Sequence, residues 1–135
     1  MNLKMVLSVY GAFMAVSGAA ALVAPSALLS LLYGVPPLDA MGLSLVRMLL
    51  AADIGLGVMC WTARTAEPSK ARDALILGLV VVNGLWAVVA VLAAMDARLW
   101  LLWADAAGFA LVAVLFIVAG RRAMSAPTAG GGAST

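Results

Sequence analysis

The sequence lacks histidine and contains a single cysteine, Cys60. Histidine is the commonest metal ligand and the usual base near neutral pH, so its absence excludes a Ser–His–Asp triad and a His/Cys metal cluster. One cysteine cannot form an intramolecular disulfide. We therefore predict no metal and no cofactor, and the candidates for catalysis are carboxyl groups.

Charge is also scarce. Asp, Glu, Lys and Arg make up 10% of the 135 residues, whereas a soluble domain has about 25%. The chain is 66% hydrophobic, with a mean hydropathy of +1.15. The net charge is +2, and most of the charged residues lie between the apolar runs, a pattern typical of membrane topology rather than of nucleic-acid binding. The sequence predicts an integral membrane protein with the lipid bilayer around it and no nucleic-acid partner.

Four apolar runs are long enough to cross a bilayer, because a hydrocarbon core of about 30 Å needs about 20 helical residues. We place these spans at about 5–24, 41–61, 74–95 and 99–119. Together they form one membrane domain over residues 1–122, and the Gly/Ala/Ser-rich residues 123–135 are predicted to be a disordered tail. Asp96 to Arg98 is predicted to be a tight turn between the last two spans.

The first run has a second interpretation as a cleaved signal peptide. Lys4 precedes it, and Ala19-Ala20-Ala21 resembles a small-residue cleavage site. The apolar run is longer than the roughly 7–15 residues typical of such a peptide, which favours a retained helix. Gly11, Ala15, Gly18 and Ala19 recur in it at helical spacing and predict close approach of a neighbouring helix, as do Gly55 and Gly57 in the second span.

A different segment separates the first two spans. Ser26 is a candidate cap for a short helix over 27–33, whose leucines suit a membrane surface and which Gly34 would end. Pro36 and Pro37 prevent its continuation. Asp39 is placed to cap the second span, where a carboxylate also meets the positive end of the helix dipole.

Basic residues predict the orientation. One side of a four-span arrangement receives Lys4, Arg64, Lys70, Arg72, Arg121 and Arg122, and the other side receives Arg98. The side with more basic residues is expected to be cytoplasmic, so both termini are predicted to lie inside.

The second span carries two charges, Arg47 and Asp53, which are costly within a bilayer and need partners. Arg47 and Asp105 of the fourth span both lie roughly 10 Å below the outer boundary, which predicts an ion pair. Asp53 lies near the midplane at the level of Asn83 in the third span, which predicts a hydrogen bond. Arg47 and Asp53 point in different directions, so the second helix is expected to be central in the bundle.

These polar groups admit two interpretations. In one they only fix helix pairing; in the other they form a binding or proton-accepting site, with Asp53 able to take up a proton and Asp105 ionised beside Arg47. Trp100 and Trp103 belong either to an interfacial aromatic belt or, together with Trp86 of the third span, to the mouth of a site for a lipid or isoprenoid. The candidate ligand-binding residues are Arg47, Asp53, Asn83, Trp86, Trp100, Trp103 and Asp105.

Three stretches carry a resemblance: Ala24-Pro-Ser-Ala-Leu-Leu-Ser-Leu-Leu-Tyr-Gly-Val35, Leu45-Val-Arg47 and Gly55-Leu-Gly-Val-Met-Cys-Trp61. They resemble a broad group of small uncharacterised bacterial four-helix membrane proteins, in which Arg47 matches an arginine early in the second helix. Asp53 departs from that group, where a small or apolar residue is expected. The layout is also similar to the eukaryotic four-helix scaffold protein of ergosterol synthesis, which implies a tethering role.

The sequence thus predicts an all-α, polytopic membrane protein, with four transmembrane helices in a bundle and a short interfacial helix after the first span. Its leading function is that of a non-enzymatic accessory subunit, scaffold or hydrophobic-ligand-binding protein of a bacterial inner membrane, with a membrane-protein partner or a second copy of itself. One alternative is an enzyme on a lipid or isoprenoid, with a protonated Asp53 as general acid and the tryptophans stabilising a cation. The other is a small proton-coupled transporter that uses Asp53 or Asp105. The sequence does not rank these two alternatives.

Overall fold

Helices account for nearly all of the part of the chain that the computed structural model describes, residues 2–97 and 99–124. They are α1 (Leu3–Val23), α2 (Pro25–Tyr33), α3 (Ala40–Ala63), α4 (Lys70–Ala97) and α5 (Trp100–Met124). Four of them, α1, α3, α4 and α5, are long and apolar enough to cross a membrane. The prediction of an all-helical chain with four helices able to cross a membrane is confirmed, and their place in a membrane stays a prediction.

Two helix ends follow the capping residues that the sequence indicates. The Asp39 side chain accepts a hydrogen bond from the Gly42 N–H at 2.7 Å at the start of α3. Gly34 ends α2 with φ +65°, a left-handed conformation that favours glycine, and its N–H donates to the Ser30 carbonyl. The prediction of Ser26 as a cap is wrong. Helix α2 begins at Pro25, since a proline in the first turn has no N–H to satisfy.

The helices extend beyond several predicted span limits. Helix α4 begins at Lys70 and α5 continues to Met124, so polar residues at their ends are helical as well. The predicted tail therefore begins within α5, and its remainder, residues 125–135, lies outside the described residues. Arg98 of the predicted turn also lies outside them.

Helices α1 and α3 pack at very short range because glycines face each other. A Cβ atom on Gly57 would lie 2.6 Å from the Ala15 backbone nitrogen, and one on Gly11 would lie 2.8 Å from the Gly57 carbonyl oxygen. Gly18 contributes further along α1, where a Cβ would lie 3.2 Å from the Leu50 carbonyl oxygen. This confirms close packing at Gly11, Ala15, Gly18 and Gly57. Gly55 is different, because no atom would lie within 4 Å of its Cβ.

Helix α1, rather than the second span, occupies the centre of the bundle. It packs along α3 and also contacts α5, while α4 and α5 form the other closely packed pair. Eight residues of α1 are buried, whereas the buried residues of α3 are Gly57 and Cys60. Residues from all four long helices share one core, which includes Leu7, Tyr10, Met14, Cys60, Ile76, Leu79 and Phe116. The prediction of a central second helix is wrong, because α3 uses its glycine face against α1 alone and leaves most of its surface exposed.

Candidate functional site

The central polar contact joins α1 to α4 through Tyr10 and Asn83. Asn83 is completely buried, and its side-chain amide donates to the Tyr10 hydroxyl at 3.1 Å and to the Leu79 carbonyl at 2.8 Å. The Tyr10 hydroxyl also lies 3.4 Å from the Asn83 side-chain oxygen. The Tyr10 ring meets Phe116 of α5 edge to face, with centroids 5.2 Å apart. Three helices therefore meet at this one tyrosine.

The predicted hydrogen bond between Asp53 and Asn83 does not form. The Asn83 amide group is engaged by Tyr10 and Leu79, and Asp53 faces α1 rather than α4. A Cβ atom on Gly18 would lie 3.5 Å from the Asp53 Cβ. The Asp53 Oδ1 atom is buried and has no hydrogen-bond partner among the described residues. The prediction is wrong because α3 packs on α1 rather than on α4.

The predicted ion pair between Arg47 and Asp105 is also absent. Asp105 accepts a hydrogen bond from the Tyr33 hydroxyl at 2.7 Å, so it is paired to α2 instead. Arg47 lies on the exposed side of α3 and has no ion-pair or hydrogen-bond partner among residues 2–97 and 99–124. The two side chains do not meet, because Arg47 is exposed on α3 and Asp105 is bonded to α2.

The Tyr33–Asp105 contact ties the short helix to the beginning of α5. Burial of the phenol, followed by the hydrogen bond to Asp105 and the negative charge of that carboxylate, raises the pKa of Tyr33 to about 12. The phenol is therefore neutral and acts as a donor at physiological pH. This contact links segments 72 residues apart in the sequence.

The three tryptophans lie in different surroundings. Trp86 is half-buried and packs edge to face on Phe109, with centroids 5.2 Å apart. Trp100 is 77% exposed at the start of α5. Trp103 lines an open apolar cavity of about 450 Å³ between α4 and α5, together with Val88, Leu92 and Ala106. Trp103 is thus the tryptophan whose position suits an apolar ligand.

No metal centre is found within the described residues, where no three His, Cys, Asp or Glu side chains are grouped closely enough to hold an ion. Cys60 is fully buried. Four open cavities are lined by other side chains, so Asp53, Asn83 and Asp105 do not line any of these four.

Sequence reasoning missed both tyrosines, although they supply the partners of Asn83 and Asp105. For Tyr10, its position in the sequence was a signal. Tyr10 lies in the middle of an apolar span, where a hydroxyl group needs a partner because lipid offers none. Tyr33 ends a leucine-rich helix, and its partner could not be read from spacing along the chain.

The chain was also compared with known proteins. No protein-family model, no curated protein and no solved structure matches it.

Proposed function

We propose that this protein is a non-enzymatic accessory subunit or scaffold of a bacterial cytoplasmic membrane, and that it contacts a larger membrane protein through the outer face of α3. The observation that carries this proposal is the exposed and unpaired Arg47. It lies seven residues inside α3, at a depth of roughly 10 Å from the helix start. A guanidinium at such a depth is costly against lipid.

Apart from Ser44, whose hydroxyl donates to the Ala40 carbonyl, the exposed side chains besides Arg47 in the first half of α3 are apolar. They include Met41, Leu45, Met48 and Leu49. A helix of a partner protein that carries a carboxylate would cover this apolar surface and pair with Arg47, and interhelical polar contacts of this kind fix membrane helix association. The polar groups inside the bundle support the same function, because they form two separate pairs between helices, Tyr10 with Asn83 and Tyr33 with Asp105.

The orientation and the placement of α2 belong to the same proposal. Lys4, Arg64, Arg72 and Arg122 surround one cavity at one end of the bundle, which supports a cytoplasmic location for that end and for both termini. We propose that helix α2 then lies at the opposite interface, which its exposed leucines Leu28, Leu31 and Leu32 support.

The partner face is tested by crosslinking in native membranes. A photoreactive amino acid at Met48 should capture one membrane protein, and Arg47→Gln should abolish that capture. The same group at Leu77, which is exposed on α4, is the matched control and should capture lipid. A crosslinked segment without Asp or Glu, or capture unaffected by Arg47→Gln, would contradict the proposal. Capture of a second copy of this chain would assign the face to a homo-oligomer.

A second candidate function rests on the unpaired Asp53 Oδ1. A buried carboxyl group without a partner could give or accept a proton, in an enzyme acting on a lipid or in proton-coupled transport. Asp53→Asn separates the two functions. The accessory role predicts that this variant keeps wild-type crosslinking from Met48 and wild-type amounts in the membrane. Loss of lipid turnover or of pH-driven flux in Asp53→Asn would favour the second function.

A further inference from the structure

A strongly basic cavity lies at the end of the bundle where α1 and α4 begin and where α3 and α5 end. Its volume is about 280 Å³. We call it the basic cavity, and it is lined by Asn2, Leu3, Lys4, Leu7, Ala63, Arg64, Arg72, Ala119 and Arg122.

Four cationic side chains converge on the basic cavity from four different helix ends. Lys4 comes from α1, Arg64 is the C-cap of α3, and Arg72 and Arg122 come from α4 and α5. None of its lining residues is acidic. Like charges held together repel one another, so this arrangement favours a bound anion.

One hydrogen-bond donor of the Arg72 guanidinium, beside the basic cavity, has no acceptor in the part of the chain that the structure describes. Its Nη1 donates to the Ala66 carbonyl at 3.2 Å, whereas its Nε is buried and has no partner among the described residues. A buried charged donor without an acceptor is destabilising, and a phosphate oxygen is an acceptor that suits the planar guanidinium. The nearby carboxylates do not accept a hydrogen bond from this Nε. Asp73 lines a neighbouring cavity, and Glu67 is exposed in the loop before α4.

We propose that the basic cavity binds a phosphate group, held by Arg72, Arg64, Lys4 and Arg122. Two sources share this chemistry, an anionic phospholipid headgroup and a soluble phosphate. The apolar part of the lining, Leu3, Leu7, Ala63 and Ala119, offers a surface for the first carbons of a lipid below its headgroup. This site does not depend on the partner face at Arg47, which lies on the other half of α3.

The fluorescence of Trp61 can report phosphate binding. The Arg64 guanidinium stacks over the Trp61 ring at 3.7 Å, and its Nη1 donates to the Trp61 carbonyl. A phosphate that draws Arg64 into the basic cavity changes this stacking and hence the Trp61 fluorescence. A protein in which Trp86, Trp100 and Trp103 are replaced by Phe reports on Trp61 alone.

The experiment titrates this single-tryptophan protein, in neutral detergent micelles, with phosphatidylglycerol, with phosphatidylcholine and with inorganic phosphate. We expect saturable binding of phosphatidylglycerol that is weakened about tenfold by Arg72→Gln and by Arg122→Gln, since each removes a charge-assisted hydrogen bond. Lys70→Gln is the matched control, because Lys70 is exposed at the start of α4 outside the basic cavity, and we expect a change of less than about twofold. Arg122→Gln keeps the test decisive if Arg72→Gln fails to fold, because Arg122 is exposed.

The arms of the titration distinguish the outcomes. Saturation by phosphatidylglycerol alone assigns the site to a lipid headgroup, and equal saturation by inorganic phosphate assigns it to a soluble phosphate. Equal weakening by Lys70→Gln and Arg72→Gln would reduce the effect to the diffuse attraction between basic residues and anionic lipid, and would overturn the proposal. The absence of any saturable response to all three titrants would overturn it as well.

Discussion

Single polar side chains hold distant parts of this bundle together. Asn83 has no exposed surface, and Tyr10 is the neighbour that gives its amide a partner outside its own helix. In lipid, neither group has water to replace a lost hydrogen bond, so each depends on the other.

Replacing Asn83 by Leu should lower the free energy of unfolding by about 1–3 kcal/mol, because the Tyr10 hydroxyl is left buried without its donor. In the double variant Tyr10→Phe, Asn83→Leu the unpaired hydroxyl is gone, so the combined loss should be smaller than the sum of the single losses. Unfolding by a denaturing detergent in mixed micelles measures all four proteins of this cycle. Strict additivity would show that the two side chains do not interact.

A second prediction at this scale concerns the pKa of Tyr33. In a Tyr10→Phe background it is the remaining tyrosine, and its phenolate absorbance should appear at a pH of about 12 rather than at its ordinary value of 10.0. Because the folded state holds the proton more tightly, this group stabilises the fold fully below pH 10 and loses that contribution as the pH rises toward 12. Asp105→Asn should move the pKa back toward 10, since it removes the carboxylate charge. An ordinary pKa with Asp105 intact would mean that α2 is not tied to α5.

At the scale of elements, the glycine face between α1 and α3 sets their separation. Bundles in lipid gain little from burying apolar surface, because the lipid is itself apolar, so close backbone contact is a main source of helix pairing. Gly57 lies opposite Ala15 and Gly11, where the nearest atoms belong to the backbone and cannot rotate away.

Gly57→Ala should therefore force α1 and α3 apart and destabilise the protein by about 1–3 kcal/mol. Gly55→Ala, two residues away on the same helix, meets nothing within 4 Å and is the matched control. It should be neutral or slightly stabilising, because alanine is the better helix former. Detergent-induced unfolding of both variants checks this, and equal losses would argue against glycine-mediated packing.

Helices α1 and α3 also show which features could be predicted from the sequence. The spans, the cap at Asp39 and the small residues of α1 could all be predicted, because each depends on local composition or spacing. The surroundings of Asp53 and Arg47 could not, and the contacts predicted for both residues do not form. Depth along a helix is readable from the sequence, but the direction in which α3 turns its polar residues depends on which helix it packs against.

At the scale of the whole molecule, the core is shared by helices that are far apart in the sequence. Helix α1 supplies Leu7, Tyr10 and Met14, and α4 and α5 close around them with Leu79 and Phe116. The sequence did not predict this central position of α1. The charges of the second span, Arg47 and Asp53, favoured that helix as the centre instead. It explains why the polar contacts run from α1 and α2 to α4 and α5 rather than from α3.

The Tyr10–Asn83 contact has a consequence for biosynthesis. Tyr10 is synthesised 73 residues before Asn83, which supplies its amide partner. Until Asn83 has been made, the Tyr10 hydroxyl lacks this partner. The contact between α1 and α4 can therefore form only after more than half of the chain has been synthesised.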